Sequence, residues 1–344
     1  VSRRFVSIAI ASLAACSTPV TPDAPASPWR LFATLPVPRL EPGVTALGDQ
    51  LVVLGGFDTS LTAGLHITTR VDVLDTLATP PQWRSLPDAP VAWTHVQLAA
   101  IGTTLYLLGG LEGQQFIAHG EAFALDTLVT PLVWRPLAPM PAGLERGSAA
   151  VIVAPPRIYL LGGASTTAAL ASNIFYDTEL NQWCPGPACT AADQFPDLPQ
   201  PRSHPAAMRR VDGSLVVTGG LATLDSTSAA SDTWLLAPLD QHASGMWQTK
   251  TPMPTARGGC AYGTLQGQLV CAGGEAGTSA LTVVESYDAI DDVWSTLAPM
   301  PVPRAGTLGA AIGQQLYVPG GAERLAFEPT DTVYVFSPLD VAPH

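Results

Sequence analysis

The sequence predicts an all-β chain folded as a six-bladed β-propeller, four antiparallel strands to a blade. Three marks recurring in phase predict it. A Gly-Gly pair occurs at Gly55-Gly56, Gly109-Gly110, Gly162-Gly163, Gly219-Gly220, Gly273-Gly274 and Gly320-Gly321, spaced by 54, 53, 57, 54 and 47 residues. An arginine stands 16 or 17 residues before each pair (Arg39, Arg146, Arg202, Arg257 and Arg304), with Trp93 in its place in the second repeat. A tryptophan precedes that position in every repeat: Trp29, Trp83, Trp134, Trp183, Trp247 and Trp294. A unit of about 50 residues repeated along a chain marks a repeat architecture, in which each unit is one supersecondary element.

The elements of the unit follow in order. The apolar runs LVVLGG, LYLLGG, IYLLGG, LVVTGG, LVCAGG and LYVPGG read as buried second strands, each hairpinned to a first strand before it. Glycines at their ends supply positive φ or close backbone approach. After a loop come the third strands, VDVLD, EAFALD, NIFYD, DTWLL, VESYD and TVYVF. Their acids Asp75, Asp126, Asp177 and Asp288 recur in phase as turn formers. The fourth strand carries the tryptophan. The text that follows it, as in WSTLAPMPVPR, is proline-rich and so reads as a connection, because proline is excluded from central strands. From tryptophan to the arginine position is 10 residues in four repeats, 12 from Trp134 and 19 from Trp183.

The sixth repeat has a third strand but no tryptophan strand after it, whereas the strand around Trp29 precedes the first repeat. Residues 27–34 are therefore expected to complete the last blade and to remove an open sheet edge. Antiparallel order places the loop after Gly-Gly and the proline-rich link on one rim. The chain enters the propeller at the opposite face.

These marks resemble the kelch repeat over residues 28–340. The resemblance implies the propeller fold and a platform for binding, and it leaves the function open, since function lives in sites grafted on a fold. It also implies that a polar residue two places after the arginine position faces the central channel, where His95 and His204 stand.

Residues 1–15 read as an export signal: Arg3 and Arg4 precede the apolar FVSIAIASLAA, too short to span a bilayer as a mature helix. The segment Leu13-Ala14-Ala15-Cys16 resembles a bacterial lipobox, which implies cleavage before Cys16 and lipidation of its sulfur. Residues 16–27, rich in Pro, Ser and Thr, read as an extended tether. The expected location is the cell envelope, anchored by lipid alone, with the outer membrane favoured in a Gram-negative cell. Without Cys16 four cysteines remain, and two local disulfides are expected, Cys184–Cys189 across a Pro-Gly-Pro-Ala turn and Cys260–Cys271 across a hairpin.

Beyond residue 15 there are 14 basic residues against 28 acidic, and Lys250 is the sole lysine. That charge balance excludes nucleic acid as a partner and excludes electrostatic docking on anionic lipid.

Candidate binding residues cluster in sequence at the expected mouth. Asp58, Glu112, Glu275 and Glu323 follow their Gly-Gly pairs by one or two residues. They form a polar pocket for a sugar, ion or peptide, or they pair with the arginines as structural glue. Glu112 faces the repeat in which Trp93 replaces arginine and is the candidate free carboxylate. Trp93 offers a face for sugar stacking or packs on its strand. His95 and His204 lack a third ligand close in sequence, so no metal or other cofactor is expected.

No Gly-x-Ser-x-Gly elbow, His-Glu-x-x-His or phosphate-binding glycine loop occurs. The leading expectation is a monomeric, non-enzymatic propeller that binds a protein or carbohydrate at its mouth. The alternative comes from a resemblance in blade number, size and export to the periplasmic kelch group that includes N-acetylneuraminate epimerase. It implies a mutarotase or epimerase and assigns no residue here; for such an enzyme Glu275 and Arg257 of the fifth repeat are the acid–base pair expected from their positions in the sequence.

Replacing Cys16 with Ser is expected to abolish fatty-acid labelling and to move the protein from the membrane to the soluble fraction. Continued labelling of the variant would refute lipidation at that sulfur.

Overall fold

The computed structural model describes residues 27–186, 189, 195–238 and 245–338. The signal, Cys16 and all of the tether but Ser27 lie outside them. Six four-stranded antiparallel sheets are arranged around a central channel. Blade 1 runs Gly43–Leu47, Gln50–Leu54, Val71–Asp75 and Gln82–Leu86. Blade 2 runs Leu98–Ile101, Thr104–Glu112, Ile117–Asp126 and Arg135–Pro136. Blade 3 consists of Ala150–Ala154, Arg157–Leu161, Asn173–Asp177 and Gln182–Cys184. Blade 4 consists of Ala206–Arg209, Leu215–Thr218, Thr233–Leu236 and Gln248–Lys250. Blade 5 is built from Ala261–Leu265, Gln268–Ala272, Val284–Asp288 and Val293–Thr296. Blade 6 is built from Ala310–Ile312, Gln315–Pro319, Thr330–Phe336 and, from the other end of the chain, Trp29–Arg39. Trp29 pairs with Phe336 and Thr34 with Thr332. The closing strand runs five residues past the expected stretch, through two irregularities of register.

The core is divided among the blade interfaces. The second and third strands are largely buried on both faces because each blade packs against two neighbours. Val52, Leu54, Val71 and Val73 of blade 1, for example, meet Leu98, Leu105 and Leu107 of blade 2. Equivalent clusters fill the other interfaces, including that between blades 6 and 1.

The three sequence marks hold these interfaces together. Gly56, Gly163, Gly220, Gly274 and Gly321 donate their N–H to the main-chain carbonyl at the arginine position of the next repeat, at 2.7–3.0 Å. A Cβ on Gly55, the first glycine of its pair, would stand 2.6 Å from the carbonyl oxygen of Trp93, a distance real Cβ atoms do not reach. The arginine side chains turn the other way, into the following blade. Arg39 pairs with Asp72 at 2.8 Å, Arg202 with Asp232 and Arg257 with Glu285. Arg304 bonds Thr332 and Glu323, and Arg146 donates to the carbonyls of Gly162 and Ser172. Further out, the indole N–H of Trp29, Trp134, Trp183, Trp247 and Trp294 donates to a carbonyl in the preceding proline-rich link, at 2.8–3.2 Å. Asp75, Asp126, Asp177 and Asp288 accept main-chain N–H bonds in the turns after the third strands.

The cysteines divide. Cys184 and Cys189 are bonded, with Cα atoms 5.7 Å apart. Cys260 and Cys271 are buried free thiols, against expectation. The hairpin register sets Cys271 opposite Tyr262, two residues along from Cys260, so the two thiols lie diagonally across the hairpin instead of face to face.

Trp29 is 4% exposed and packs at 5.1 Å, its ring tilted by 45°, against Phe336 of the same closing pair. Trp29→Ala is expected to cost about 3–5 kcal/mol in urea unfolding, since it removes a buried indole at the closure. Ile290→Ala, at an exposed position, should stay within about 0.5 kcal/mol of the parent.

Candidate functional site

The channel opens at the rim that carries the loops after Gly-Gly. Its floor is a ring built from the second residue after each arginine position: Glu41, His95, Ser148, His204, Gly259 and Gly306. All six adopt the left-handed conformation, with φ between 53° and 65°. Main-chain bonds run round the ring. His95 N–H donates to Glu41, Ser148 to His95, His204 to Ser148 and Gly259 to His204, at 2.9–3.0 Å, and Glu41 donates to Gly306 at 2.7 Å. Glycine adopts this conformation freely, yet four blades place a side-chain-bearing residue there and so project it into the channel.

Above the floor lies a cavity of about 330 Å³. Phe116 of blade 2 and Phe327 of blade 6 wall one side, stacked at 6.4 Å, and Phe57 packs edge-on against both. Glu275, Asp225 and Ser226 line the opposite side. Glu275 sits at the start of a two-stranded ribbon, Glu275–Ala276 with Ser279–Ala280, in the blade 5 loop. Among the described residues no hydrogen bond or ion pair engages its carboxylate. Burial, reinforced by the charges of Glu41 and Asp225, pushes its pKa up to about 7. Ser148 Oγ is buried without a partner.

Two histidines stand on the floor with their ring planes at 74° and centroids 5.1 Å apart. Thr94 Oγ1 donates to Leu111 and Ser203 Oγ donates to Thr223, so each hydroxyl is left to accept. His95 Nδ1 lies 2.8 Å from the first and His204 Nδ1 3.3 Å from the second. In the tautomer in which each Nδ1–H donates to its hydroxyl, Nε2 of the ring is unprotonated. Burial lowers the pKa of His95 to about 3 and that of His204 to about 4. His95 Nε2 lies 3.4 Å from Glu41 Oε2, and burial raises the pKa of Glu41.

Of the residues singled out in the sequence, His95, His204 and Glu275 meet in this cavity. The others do not. Asp58 pairs with His66 at 2.8 Å, and Glu112 is no free carboxylate, because His119 engages it at 2.9 Å. Trp93 is buried and stacks on His119 at 5.1 Å, so it packs and presents no open face. Glu323 reaches Arg304 at 3.3 Å and is the one rim acid held by an arginine of the ring. The arginines themselves are at most 1% exposed and lie in the blade interfaces, away from the mouth. Arg257 therefore cannot act with Glu275, since its guanidinium is committed to Glu285. Glu41 escaped the sequence reading although it stands two residues after Arg39, the same offset that picked out His95 and His204.

A family model described as the KLHDC2/KLHL20/DRC7 Kelch-repeats domain matches residues 95–321. The chain belongs to the kelch-repeat family. Kelch-like protein terF of Aspergillus terreus is 30% identical over 322 residues, 88% of this chain and 65% of terF. Human Kelch-like protein 33 is 32% identical over 149 residues, 40% of this chain and 24% of its own length. The kelch chain thus spans less than two thirds of these relatives. The solved structure of YjhT superposes with a TM-score of 0.71 over 90% of this chain and 98% of that one, at 15% identity, a likeness of fold.

Glu275 is protonated in the folded protein over a pH range where the unfolded chain has already ionised it. Its contribution to stability is complete below its ordinary value of 4.5 and is lost as pH rises through about 7. The histidines act in the opposite sense, losing stability as pH falls from 6.5 toward about 4 and 3. Glu275→Gln isolates the first effect. Urea unfolding across pH is expected to show the variant gaining stability over the parent between pH 4.5 and 7, with no difference below that range. A pH-independent difference would refute the assignment.

Proposed function

We propose that this kelch propeller is a non-enzymatic binding module held at the bacterial envelope by a lipidated Cys16, and that its mouth takes a small polyhydroxylated ligand of the carbohydrate class. One observation carries the reading: the cavity of about 330 Å³ pairs an aromatic wall with oxygen acceptors, of which the Glu275 carboxyl and Ser148 Oγ have no partner among the described residues. Small-molecule sites are concave, mostly apolar and fitted with a few oriented polar groups. Phe116 and Phe327 supply an apolar face, and Glu275, Asp225 and Ser148 Oγ supply acceptors for hydroxyl groups. The proposed anchor leaves this mouth pointing away from the membrane, because the first described strand enters at the opposite face.

A second reading rests on Glu275 alone. A carboxyl group with a pKa of about 7 and no ion-pair partner among the described residues suits proton transfer at a sugar hydroxyl. This is the carboxylate that distinguishes a mutarotase or epimerase from a passive binder.

Thermal unfolding against a panel of neutral sugars and sialic acid tests both readings. A ligand at 100 times its Kd stabilises by about 2.7 kcal/mol. Phe116→Ala is expected to abolish the shift. Under the binding reading, NMR anomer exchange of the bound sugar stays at the solvent rate. Acceleration that disappears in Glu275→Gln establishes the enzyme instead. If no sugar shifts the unfolding while an envelope protein does, the ligand class assigned here is wrong and the rim is a protein-docking surface.

A further inference from the structure

We propose that Glu41, His95 and His204 bind one divalent transition-metal ion, zinc by chemical class, at the floor of the channel. The inference rests on these residues and does not depend on the cavity taking a sugar.

One donor atom from each residue lies within 4.8 Å of the other two. The separation of 3.4 Å between His95 Nε2 and Glu41 Oε2 is already that of two ligands on a tetrahedral ion, which at bond lengths of about 2.0–2.1 Å stand roughly 3.3 Å apart. The hydroxyls of Thr94 and Ser203 stand at Nδ1 of the two rings, where outer hydroxyls and carbonyls stand for metal-bound histidines, and a ring that donates Nδ1–H to its hydroxyl keeps the Nε2 lone pair for an ion. His204 Nε2 is buried and makes no hydrogen bond. Two imidazoles and a carboxyl group meet with no cationic side chain among the lining residues of the narrow space beneath the cavity. A buried acceptor without a donor costs free energy that a bound cation removes.

The donor set also selects the ion. Calcium and magnesium take oxygen ligands, whereas two imidazoles and a carboxylate suit zinc and its first-row neighbours. The three ligands come from three different inter-blade links, and the main-chain ring round the channel holds their Cα atoms in place. Three protein ligands leave a position open, as in zinc sites that exchange water or ligand, and all three line the cavity that also contains Ser148 and Glu275.

The test uses the full chain, stripped with a chelator and dialysed against zinc. One zinc per chain is expected. His204→Ala and Glu41→Gln should each weaken binding more than tenfold. Ser203→Ala, which leaves all three ligands in place and releases only the outer hydroxyl, should weaken it roughly tenfold. Cobalt on the unmodified protein should give visible d–d bands without the near-ultraviolet thiolate band, which places the ion on imidazole and carboxylate, away from Cys260 and Cys271. Circular dichroism of the metal-free variants confirms their fold. Less than a tenth of an equivalent of zinc retained by the parent, equal affinity in all three variants, or a thiolate band would each overturn the site. In the first case the shared charge at the floor is a proton between Glu41 and His95.

Discussion

The interaction on which the rest of this structure depends is the junction made by the arginine position of each repeat. In five of the six junctions its carbonyl accepts an N–H from the second glycine of the preceding blade, and where the residue is arginine the guanidinium runs into the blade that follows. One residue thus couples two sheets whose facing surfaces are otherwise mainly apolar. A buried guanidinium needs partners for its donors, and each blade supplies them differently: Asp72, Asp232 and Glu285 are charged partners, whereas Arg146 relies on carbonyls and the Ser172 hydroxyl, and Nε of Arg39, Arg202, Arg257 and Arg304 stays without a partner among the described residues. Lacking a carboxylate, Arg146 has its pKa drawn down to about 10 by burial. Trp93 shows what the position requires. It keeps the carbonyl contact to Gly56 and replaces the guanidinium with an indole packed on Gly110 and His119.

The same junction creates the site. The chain leaves the arginine, pairs for one residue with the rim and turns through a left-handed residue that points into the channel. Six such turns, joined by main-chain bonds, give a rigid floor whose chemistry is chosen blade by blade: carboxyl, imidazole, hydroxyl, imidazole and two glycines. The open side next to Gly259 and Gly306 leaves space for the histidine and glutamate side chains to converge. The fold therefore offers an arrangement in which residues more than fifty positions apart in sequence become neighbours at identical backbone geometry.

Much of this was legible in the sequence because the repeat is a backbone phenomenon. Gly-Gly, arginine and tryptophan recur since each answers a steric or hydrogen-bonding demand present in every blade. The closure by Trp29 was legible because one tryptophan strand stood unassigned at the start of the chain and one was missing from the last repeat. The site was legible only in part. His95 and His204 stood out at a shared offset, and Glu275 stood out after its glycines. Asp58, Glu112 and Glu323 shared the position of Glu275 in the text, yet local partners on their own loops or blades engage them, and loop conformation is not periodic.

The sequence by itself determined the blade number, the strand order, the circular closure and the rim on which variable loops gather, because these follow from repeat phase and from the conformational demands of glycine and proline. Only the tertiary structure decided which acids are paired, that Arg257 serves Glu285 and not Glu275, that Cys260 and Cys271 lie diagonally across their hairpin, and that Glu41 joins two histidines on the channel floor. Ion pairing and ligand geometry depend on distances of a few ångströms between residues far apart in the chain, and those distances exist only once the six blades have closed.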